Sequence, residues 1–347
     1  MQFDRRAMVG GAAALAASLA ATPVLAARKT APFNPGSGPR SRMVYVNDLS
    51  GDIDGLFATA HALMSPTCQL RCIVGTPAMF AAETAAVSAA LGEEIVGLMG
   101  MKGQIPCHAG SSGKIGTGRV AQRSPGVQAI IDEAMRTDTD LPLYIAVGAG
   151  LTEVASAVLI EPKVAERATL VWIGGGSWPD GIKNEYNFGL DTDAARFLFN
   201  DTAMPIWQVP QSVYATCLIS AAELRTMVAP HGRIGDWLYR KYTGFPEAFA
   251  KLIPIRINLG ETWAMGDSPL VVLTSLGDSL PSFENGKVAY DRTSAGRYDE
   301  VICPTLNRDG TFTARSEGRK IRIYKDIDTR LMFGDFFAKL ALNYPAK

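Results

Sequence analysis

The chain has 347 residues, 47% of them hydrophobic, and its 34 basic residues balance 34 acidic ones. This composition is typical of a globular protein with a sizeable core, and the balanced charge excludes the broad basic surface of a nucleic-acid-binding protein. Five scattered cysteines lack metal-site spacing, and we expect most of them to be buried apolar residues.

Residues 1–26 have the pattern of an export signal. Arg5 and Arg6 precede an alanine-rich apolar segment over 7–21, and small residues suitable for cleavage follow. The paired arginines favour the twin-arginine route, so a periplasmic or secreted product is expected. The apolar segment is short for a spanning helix, so we expect no stable membrane anchor after cleavage, with an uncleaved anchor as the alternative. Residues 27–42, rich in Pro, Gly, Ser and basic groups, are predicted to be a flexible linker.

From Met43 onward, apolar strand patterns alternate with helical ones, which predicts one α/β domain over residues 43–347. Such alternation is typical of a single open, mostly parallel twisted sheet with helices on both faces. The strands predicted in the first half are 43–46, 70–74, 94–99, 143–147 and 169–173. The helices predicted there are 56–63, 78–91, 124–135 and 152–159.

The second half of the chain is less regular. Asp191 begins a predicted helix whose first turn carries aspartates, where the helix dipole favours negative charge. A short strand at 205–209 and helical material over 221–252 follow. The pattern of 283–314 predicts a small hairpin region. A strand at 321–324 and an amphipathic helix at 328–342 close the domain.

An acidic loop between the first strand and the first helix is the most informative stretch. The apolar strand ends at Val46, and three carboxylates then surround a Ser-Gly turn: Asp48, Asp52 and Asp54. In open α/β sheets, ligands bind at loops that follow the carboxyl ends of strands. Carboxylates crowded there repel one another, and a hard cation such as Ca²⁺ would offset the repulsion. The alternative is a solvated turn whose aspartates cap the next helix.

Three further loops follow predicted strands. Their sequences are GAGLTE at 148–153, IGGGSW at 173–178 with NEYN at 184–187, and GDSPL at 266–270. Each has a structural explanation by itself, because Gly-rich turns between strands and helices are common and Asp267 is a good helix cap.

Together, the acidic loop and these segments resemble the inosine-uridine preferring nucleoside hydrolase family. The corresponding pieces there are a DxDPGxDD or DTDIGTDxDD loop, GPLTN, MGG, xEFN followed by DPxAA, and a late HD or xDPL element. Their order and spacing hold from Met43 to the last helix. The resemblance implies the family fold and calcium-dependent hydrolysis of the N-glycosidic bond of a small-molecule nucleoside or related glycoside, by water attack on the anomeric carbon. It also implies dimers or tetramers.

The resemblance assigns an ion site as well. Asp48 matches the aspartate that binds Ca²⁺ and acts as general base. Thr152 matches the threonine that binds through its main-chain carbonyl, and Asp267 matches the late aspartate ligand. The second aspartate of the family's DD pair aligns with Gly55, a loss that should weaken calcium binding. Asp52 either replaces that ligand or braces the loop.

Five residues are expected to contact the substrate. By the same resemblance, Asp54, Glu185 and Asn187 match residues that hold the sugar hydroxyls. Trp178 is a candidate to stack on a base or sugar ring, although a large aromatic is more often part of a core. The histidine that precedes the late aspartate in some members, a candidate leaving-group acid, is a glycine here. His108 is the better candidate among the chain's own histidines.

Two other functions stay open from the sequence. Residues 52–55, DIDG, resemble the nucleophile motif of haloacid-dehalogenase-type phosphatases, but that motif needs an apolar strand that runs directly into its first aspartate. The second is a non-catalytic member of the same fold that binds a nucleoside or sugar without cleaving it. The glycines at 55 and 266 favour this alternative, since a fold does not fix a function.

Overall fold

The computed structural model describes residues 33–36, 38–251, 260–277, 281–284, 287–290 and 295–346. The predicted export signal and the first part of the predicted linker lie outside the described residues. By its internal contacts, the chain from Pro32 to Lys347 forms one unit. Within the described residues, no helix is both long and apolar enough to span a bilayer.

The strands alternate with helices through the first half of the chain. In chain order the strands are β1 (Ser41–Asn47), β2 (Cys68–Gly75), β3 (Cys107–Ala109), β4 (Leu143–Gly148), β5 (Ala168–Ile173), β6 (Ile206–Val209), β7 (Leu218–Ser220), β8 (Thr262–Ala264), β9 (Pro281–Glu284), β10 (Lys287–Tyr290), β11 (Gly296–Ile302), β12 (Thr305–Leu306), β13 (Phe312–Thr313) and β14 (Lys320–Ile327).

In the described part of the chain, eight strands form a central sheet in the order β11-β14-β6-β5-β4-β1-β2-β3. Neighbouring strands are parallel from β14 to β3, and β11 is an antiparallel edge strand. The strand order reverses between β1 and β4, which makes their carboxyl ends the topological switch point of the sheet. All seven residues of β1 are buried, as expected for a parallel strand covered on both faces.

Helices cover both faces of the sheet. They are α1 (Asp54–Leu63), α2 (Ala85–Leu98), α3 (Pro125–Ala134), α4 (Thr152–Ile160), α5 (Val164–Arg167), α6 (Tyr186–Leu190), α7 (Thr192–Asp201), α8 (Gln211–Tyr214), α9 (Ala221–Glu223), α10 (Gly232–Ala250), α11 (Pro269–Val271) and α12 (Thr329–Asn343). Short π-helices, Leu224–Val228 and Val272–Leu276, follow α9 and α11. One core packs α1, α2, α10 and α12 on the sheet, and the other packs α3, α4 and α7. The predicted open α/β sheet is therefore confirmed.

One predicted strand and two predicted boundaries are wrong. The strand predicted at 94–99 is the last part of α2. This helix begins only at Ala85, where Thr84 accepts a hydrogen bond from the backbone N–H of Val87. A short apolar run does not by itself distinguish a buried strand from a buried helix. The predicted linker also ends earlier, because β1 begins at Ser41. Arg42 is buried in that strand and lies 2.6 Å from Glu133 of α3, an ion pair that the local sequence does not reveal.

The C-terminal hairpin region divides among three sheets, since β12 and β13 form an antiparallel pair of their own. β9 and β10 pair antiparallel, as the pattern predicts, whereas β11 joins the central sheet beside β14. The cysteine prediction is confirmed for the described residues, since all five thiols are free and only that of Cys107 is partly exposed.

Candidate active site

Acidic side chains from three segments meet beside the topological switch point. Asp48 directly follows β1, Asp54 begins α1, and Asp267 lies between β8 and α11. The backbone N–H of Asp267 donates to Asp54 Oδ2 at 3.0 Å. Asn47, the last residue of β1, donates from Nδ2 to Asp267 Oδ2 at 2.6 Å. The tertiary fold thus joins carboxylates that lie more than 200 positions apart; we call Asp48, Asp54 and Asp267 the acidic cluster.

The acidic cluster is electrostatically strained. Burial is the largest cause that raises the pKa of each carboxyl, and repulsion by neighbouring carboxylates raises it further. For Asp48 and Asp54 that repulsion comes from Asp267 and Asp52. Groups in this state are stabilised by a shared proton or by a nearby cation.

Two glycines make room for the cluster. A Cβ atom at Gly148 would lie 2.3 Å from Asp267 Oδ1, and one at Gly55 would lie 2.1 Å from Asn47 Oδ1. Real Cβ atoms do not approach other heavy atoms so closely. With Asp267 and Asn47 in their present positions, the end of β4 and the start of α1 leave no room for a side chain at either glycine.

Asp52 stands apart from the cluster. Its side chain is exposed, and its Oδ1 accepts a hydrogen bond of 3.0 Å from the backbone N–H of Asp54. This contact braces the start of α1, which is one of the two roles predicted for Asp52. The exposed position also offers no buried strand end for a phosphatase nucleophile.

Glu185 is fixed at the end of β5 by several donors. It caps α6, where its carboxylate accepts from the backbone N–H groups of Asn187 and Phe188 at 3.1 and 2.9 Å. It also accepts from Gly175 N–H and from the Tyr214 hydroxyl, both at 2.7 Å. These bonds hold the segment that follows in one orientation. The Asn187 side chain is held as well, because its Nδ2 donates to a β5 carbonyl at 2.9 Å.

Tyr186 connects the acidic cluster with a cavity of about 420 Å³. Its hydroxyl donates to Asp48 Oδ2 at 3.3 Å, and its side chain lines the cavity. Thr152 and Glu185 line the same space, together with residues of the loops 76–79 and 111–114. A cavity of this size is within the range of small-molecule sites, about 300 to 1,000 Å³.

Thr152 and Glu153 begin α4 beneath this cavity. The Thr152 hydroxyl donates to Asp191 Oδ2 at 2.7 Å. Glu153 is buried and accepts from both the N–H and the hydroxyl of Ser111 at 2.9 Å, and burial raises its pKa. Glu153 thereby ties the loop after β3 to the end of β4, a role that our sequence analysis missed although the residue is part of the GAGLTE segment.

Of the five predicted substrate contacts, only Glu185 is among the described residues that line the cavity; Asp54 and Asn187 lie outside its lining, as do His108 and Trp178. His108 is the middle residue of β3, and Trp178 packs on Phe312 with ring centroids 6.4 Å apart. Three polar residues at the site carried no sequence signal that we could identify, because only the fold brings them there: Asn47, Thr76 and Tyr214.

The acidic cluster offers hard donors, but not a ready-made cluster of ligands. Within the described residues, no three His, Cys, Asp or Glu side chains are arranged to hold a metal ion. A neutral oxygen is available beside the carboxylates, however, because Asn47 Oδ1 is buried without a hydrogen-bond partner. Thr152, whose carbonyl the resemblance assigns to the ion, is the first residue of α4. Carboxylates combined with amide and carbonyl oxygens form the type of donor set that suits Ca²⁺.

Comparison with known proteins agrees with this geometry. The family model described as inosine-uridine preferring nucleoside hydrolase matches residues 47–333. Over 79 residues the chain is 34% identical to the inosine-uridine preferring nucleoside hydrolase of Leishmania major, a match that covers 22% of this chain and 25% of that protein. The chain thus matches about a quarter of the length of this relative.

The fold is similar to those of solved nucleoside hydrolases. The purine-preferring ribonucleoside hydrolase of Gardnerella vaginalis has a TM-score of 0.63 at 17% identity, and a plant nucleoside hydrolase has 0.64 at 14%. Each similarity covers 87% of this chain and 99% of the other. The inosine-uridine preferring nucleoside hydrolase of Bacillus anthracis has a TM-score of 0.58 at 14% identity. The chain belongs to the inosine-uridine preferring nucleoside hydrolase family, whose members are hydrolases that act on N-glycosyl compounds.

Proposed function

We propose that the protein is an N-ribohydrolase that cleaves the N-glycosidic bond of a nucleoside with Asp48 as general base. The observation that carries this proposal is the position of the acidic cluster at the switch point, with Tyr186 joining Asp48 to the cavity. Water adds its oxygen to the anomeric carbon, and the electron pair of the broken C–N bond goes to the leaving nitrogen. One proton of the attacking water goes to the Asp48 carboxylate, the other stays on the new sugar hydroxyl, and the departing nitrogen takes up a proton from solvent.

Asp48 is suited to take the proton of the attacking water. Burial and the nearby carboxylates raise its pKa, which brings the carboxylate closer to the basicity that proton transfer near neutral pH requires. The hydrogen bond from the Tyr186 hydroxyl to Oδ2 orients the Asp48 carboxylate.

The other carboxylates supply charge where the reaction needs it. Departure of the base leaves positive charge on the ribosyl ring, and fixed negative charges stabilise such a transition state. Asp54 and Asp267 are positioned by one another through the backbone N–H of Asp267. Glu185 lines the cavity, and the family resemblance assigns Glu185 and Asn187 to the sugar hydroxyls.

The proposal includes dependence on a divalent cation, with Ca²⁺ as the ion that the resemblance implies. Asp48, Asp267 and the main-chain carbonyl of Thr152 would hold it. When bound, the ion lowers the pKa of a coordinated water and orients it. The buried, mutually repelling carboxylates support this donor set.

A non-catalytic nucleoside- or sugar-binding protein is the second candidate. It is favoured by the absence of a side chain at Gly55 and by the bond of Asn47 to Asp267, which partly satisfies that carboxylate without a cation. We also propose export by the twin-arginine route to the periplasm or beyond, and a dimer or tetramer in solution. Fractionation of cells and light scattering of the purified protein test these two statements.

A reducing-sugar assay tests the proposed function. The purified protein is incubated with purine and pyrimidine nucleosides, first with added Ca²⁺ and then with a chelator. We expect sugar release from at least one nucleoside and its loss on chelation. If no nucleoside releases sugar but one of them raises the melting temperature, the binding protein is the correct reading.

A further inference from the structure

The side chain of Asn47, beside the acidic cluster, carries a buried oxygen without a hydrogen-bond partner. It is 1% exposed at the end of β1. Its Nδ2 donates to Tyr45 Oη at 3.1 Å and to Asp267 Oδ2 at 2.6 Å. Its Oδ1 has no hydrogen-bond partner, although it is buried. Native proteins rarely bury such an acceptor without a partner, so the oxygen points to a ligand that is bound in the working protein.

The unpartnered oxygen faces the first turn of α1. A Cβ atom at Gly55 would lie 2.1 Å from Asn47 Oδ1 and 2.9 Å from its Cγ. The Asn47 amide and a side chain at position 55 therefore exclude one another. An aspartate at position 55 would follow Asp54 as a second carboxylate in the first turn of α1. The Asn47 amide oxygen occupies the space that its side chain would need.

The amide group that carries this oxygen lies beside an acidic side chain, because its Nδ2 donates to Asp267 Oδ2. Asp54 in turn contacts Asp267. Among the described residues, no Lys, Arg or His forms an ion pair with Asp48, Asp54 or Asp267. A buried oxygen without a donor and carboxylates without counter-charges are compensated together by one bound cation.

We propose that Asn47 Oδ1 is a neutral ligand of the divalent cation at this site and replaces a carboxylate at position 55. The inference rests on the proposed function, from which it takes the cation and the ligands Asp48 and Asp267. Its consequence is a site with one negative charge fewer, which binds Ca²⁺ more weakly and releases it more easily than a site with three carboxylates.

Calorimetric titration of Ca²⁺ into the purified protein tests the ligand directly. We expect about one ion per chain, as a single site of this type should bind. Asn47→Leu, which keeps the volume and removes the oxygen, should lower the affinity about tenfold or more, and Asn47→Asp should raise it about tenfold. Unchanged affinity in Asn47→Leu, with an unchanged melting temperature, would overturn the proposal.

An exchange of positions separates a ligand from a packing residue. Gly55→Ala places a methyl group against Asn47 Oδ1 and should weaken binding without removing a donor. The double variant Asn47→Ser/Gly55→Asp vacates that space and fills it with a carboxylate, so it should bind at least as tightly as the natural protein. Failure of this rescue in a folded variant would contradict the proposal. Gly97→Ala is the matched control, because no atom lies within 4 Å of its added Cβ.

The sugar-release assay on the same preparations distinguishes the two ways to fail. Sugar release without any cation binding overturns the role of Asn47 and leaves the hydrolase intact. Cation binding that depends on Asn47, without sugar release from any nucleoside, supports the ligand assignment and overturns the proposed hydrolysis.

Discussion

The two ends of α1 carry two buried clusters of charged groups that differ in one respect. At its start, Asp54 meets Asp48 and Asp267, and the described residues bring no cation to them. Near its end, His61 Nε2 lies 2.7 Å from Asp335 Oδ2, which lies 2.6 Å from Lys339 Nζ. The second cluster balances its own charge, whereas the first does not.

The pKa directions follow from this difference. At the start of α1, burial and repulsion both raise the pKa of the carboxyls. At the other end, burial raises the pKa of Asp335, but the hydrogen bonds from His61 and Lys339 outweigh it and hold the pKa below its usual value. A buried cluster whose charges balance contributes to the stability of the fold. A cluster with surplus charge is suited to bind a ligand.

The largest expected effect comes from the unbalanced cluster. Asp48→Asn keeps the shape of the side chain but removes the proposed base, so sugar release should fall by about 10² to 10⁴. The melting temperature should stay the same or rise, because a buried repelling charge is lost. Retention of activity in this variant would show that the base is misassigned.

Breaking the balanced cluster should affect stability instead. Lys339→Met removes a buried partner of Asp335 and the bond from Lys339 Nζ to Ser65 Oγ at 3.0 Å. We expect a loss of about 3 kcal/mol in the free energy of unfolding, measured by denaturant titration. Sugar release per folded molecule should not change, and a fall in it would connect this cluster to the site.

Removal of the Tyr186 hydroxyl should have a smaller effect. Tyr186→Phe deletes the hydrogen bond of 3.3 Å to Asp48 and keeps the ring at the cavity wall. A hydrogen bond of this kind contributes about 1 kcal/mol, so kcat/KM should fall about fivefold. Tyr239→Phe is a suitable control, because Tyr239 lies on α10 and does not line the cavity.

The smallest effect is a difference in acid sensitivity. The lowered pKa of Asp335 stabilises the fold above the pKa of the unfolded carboxyl, and this contribution is lost as the pH falls through the folded pKa. Burial lowers the pKa of His61, so below about pH 6.5 protonation favours the unfolded chain. Below about pH 4, where the Asp335 contribution is lost, melting temperatures should fall less steeply with pH in Asp335→Asn than in the natural protein. Parallel curves would remove Asp335 from this explanation.

The sequence predicted the family, the parallel sheet and the loops of the site. Strand ends are local features, since a polar residue after a buried run and a glycine turn before a helix lie within a few positions of each other. The order GAGLTE, IGGG, NEYN and GDSPL therefore located Thr152, Glu185 and Asp267. The wrong prediction of a strand at 94–99 also came from a local feature, because a short apolar run is compatible with both a helix and a strand.

What the sequence determined by itself is the list of groups that meet at the switch point, with Asp48, Asp54 and Asp267 among them. Only the tertiary structure decided how they meet. It separated Asp52, which braces α1, from the cluster, and it packed Asn47 against Gly55 and Asp267. The physical reason is that contacts between residues 47, 55 and 267 depend on the packing of β1, α1 and the segment before α11. No local pattern in the sequence shows that the absence of a side chain at Gly55 leaves space for the Asn47 amide.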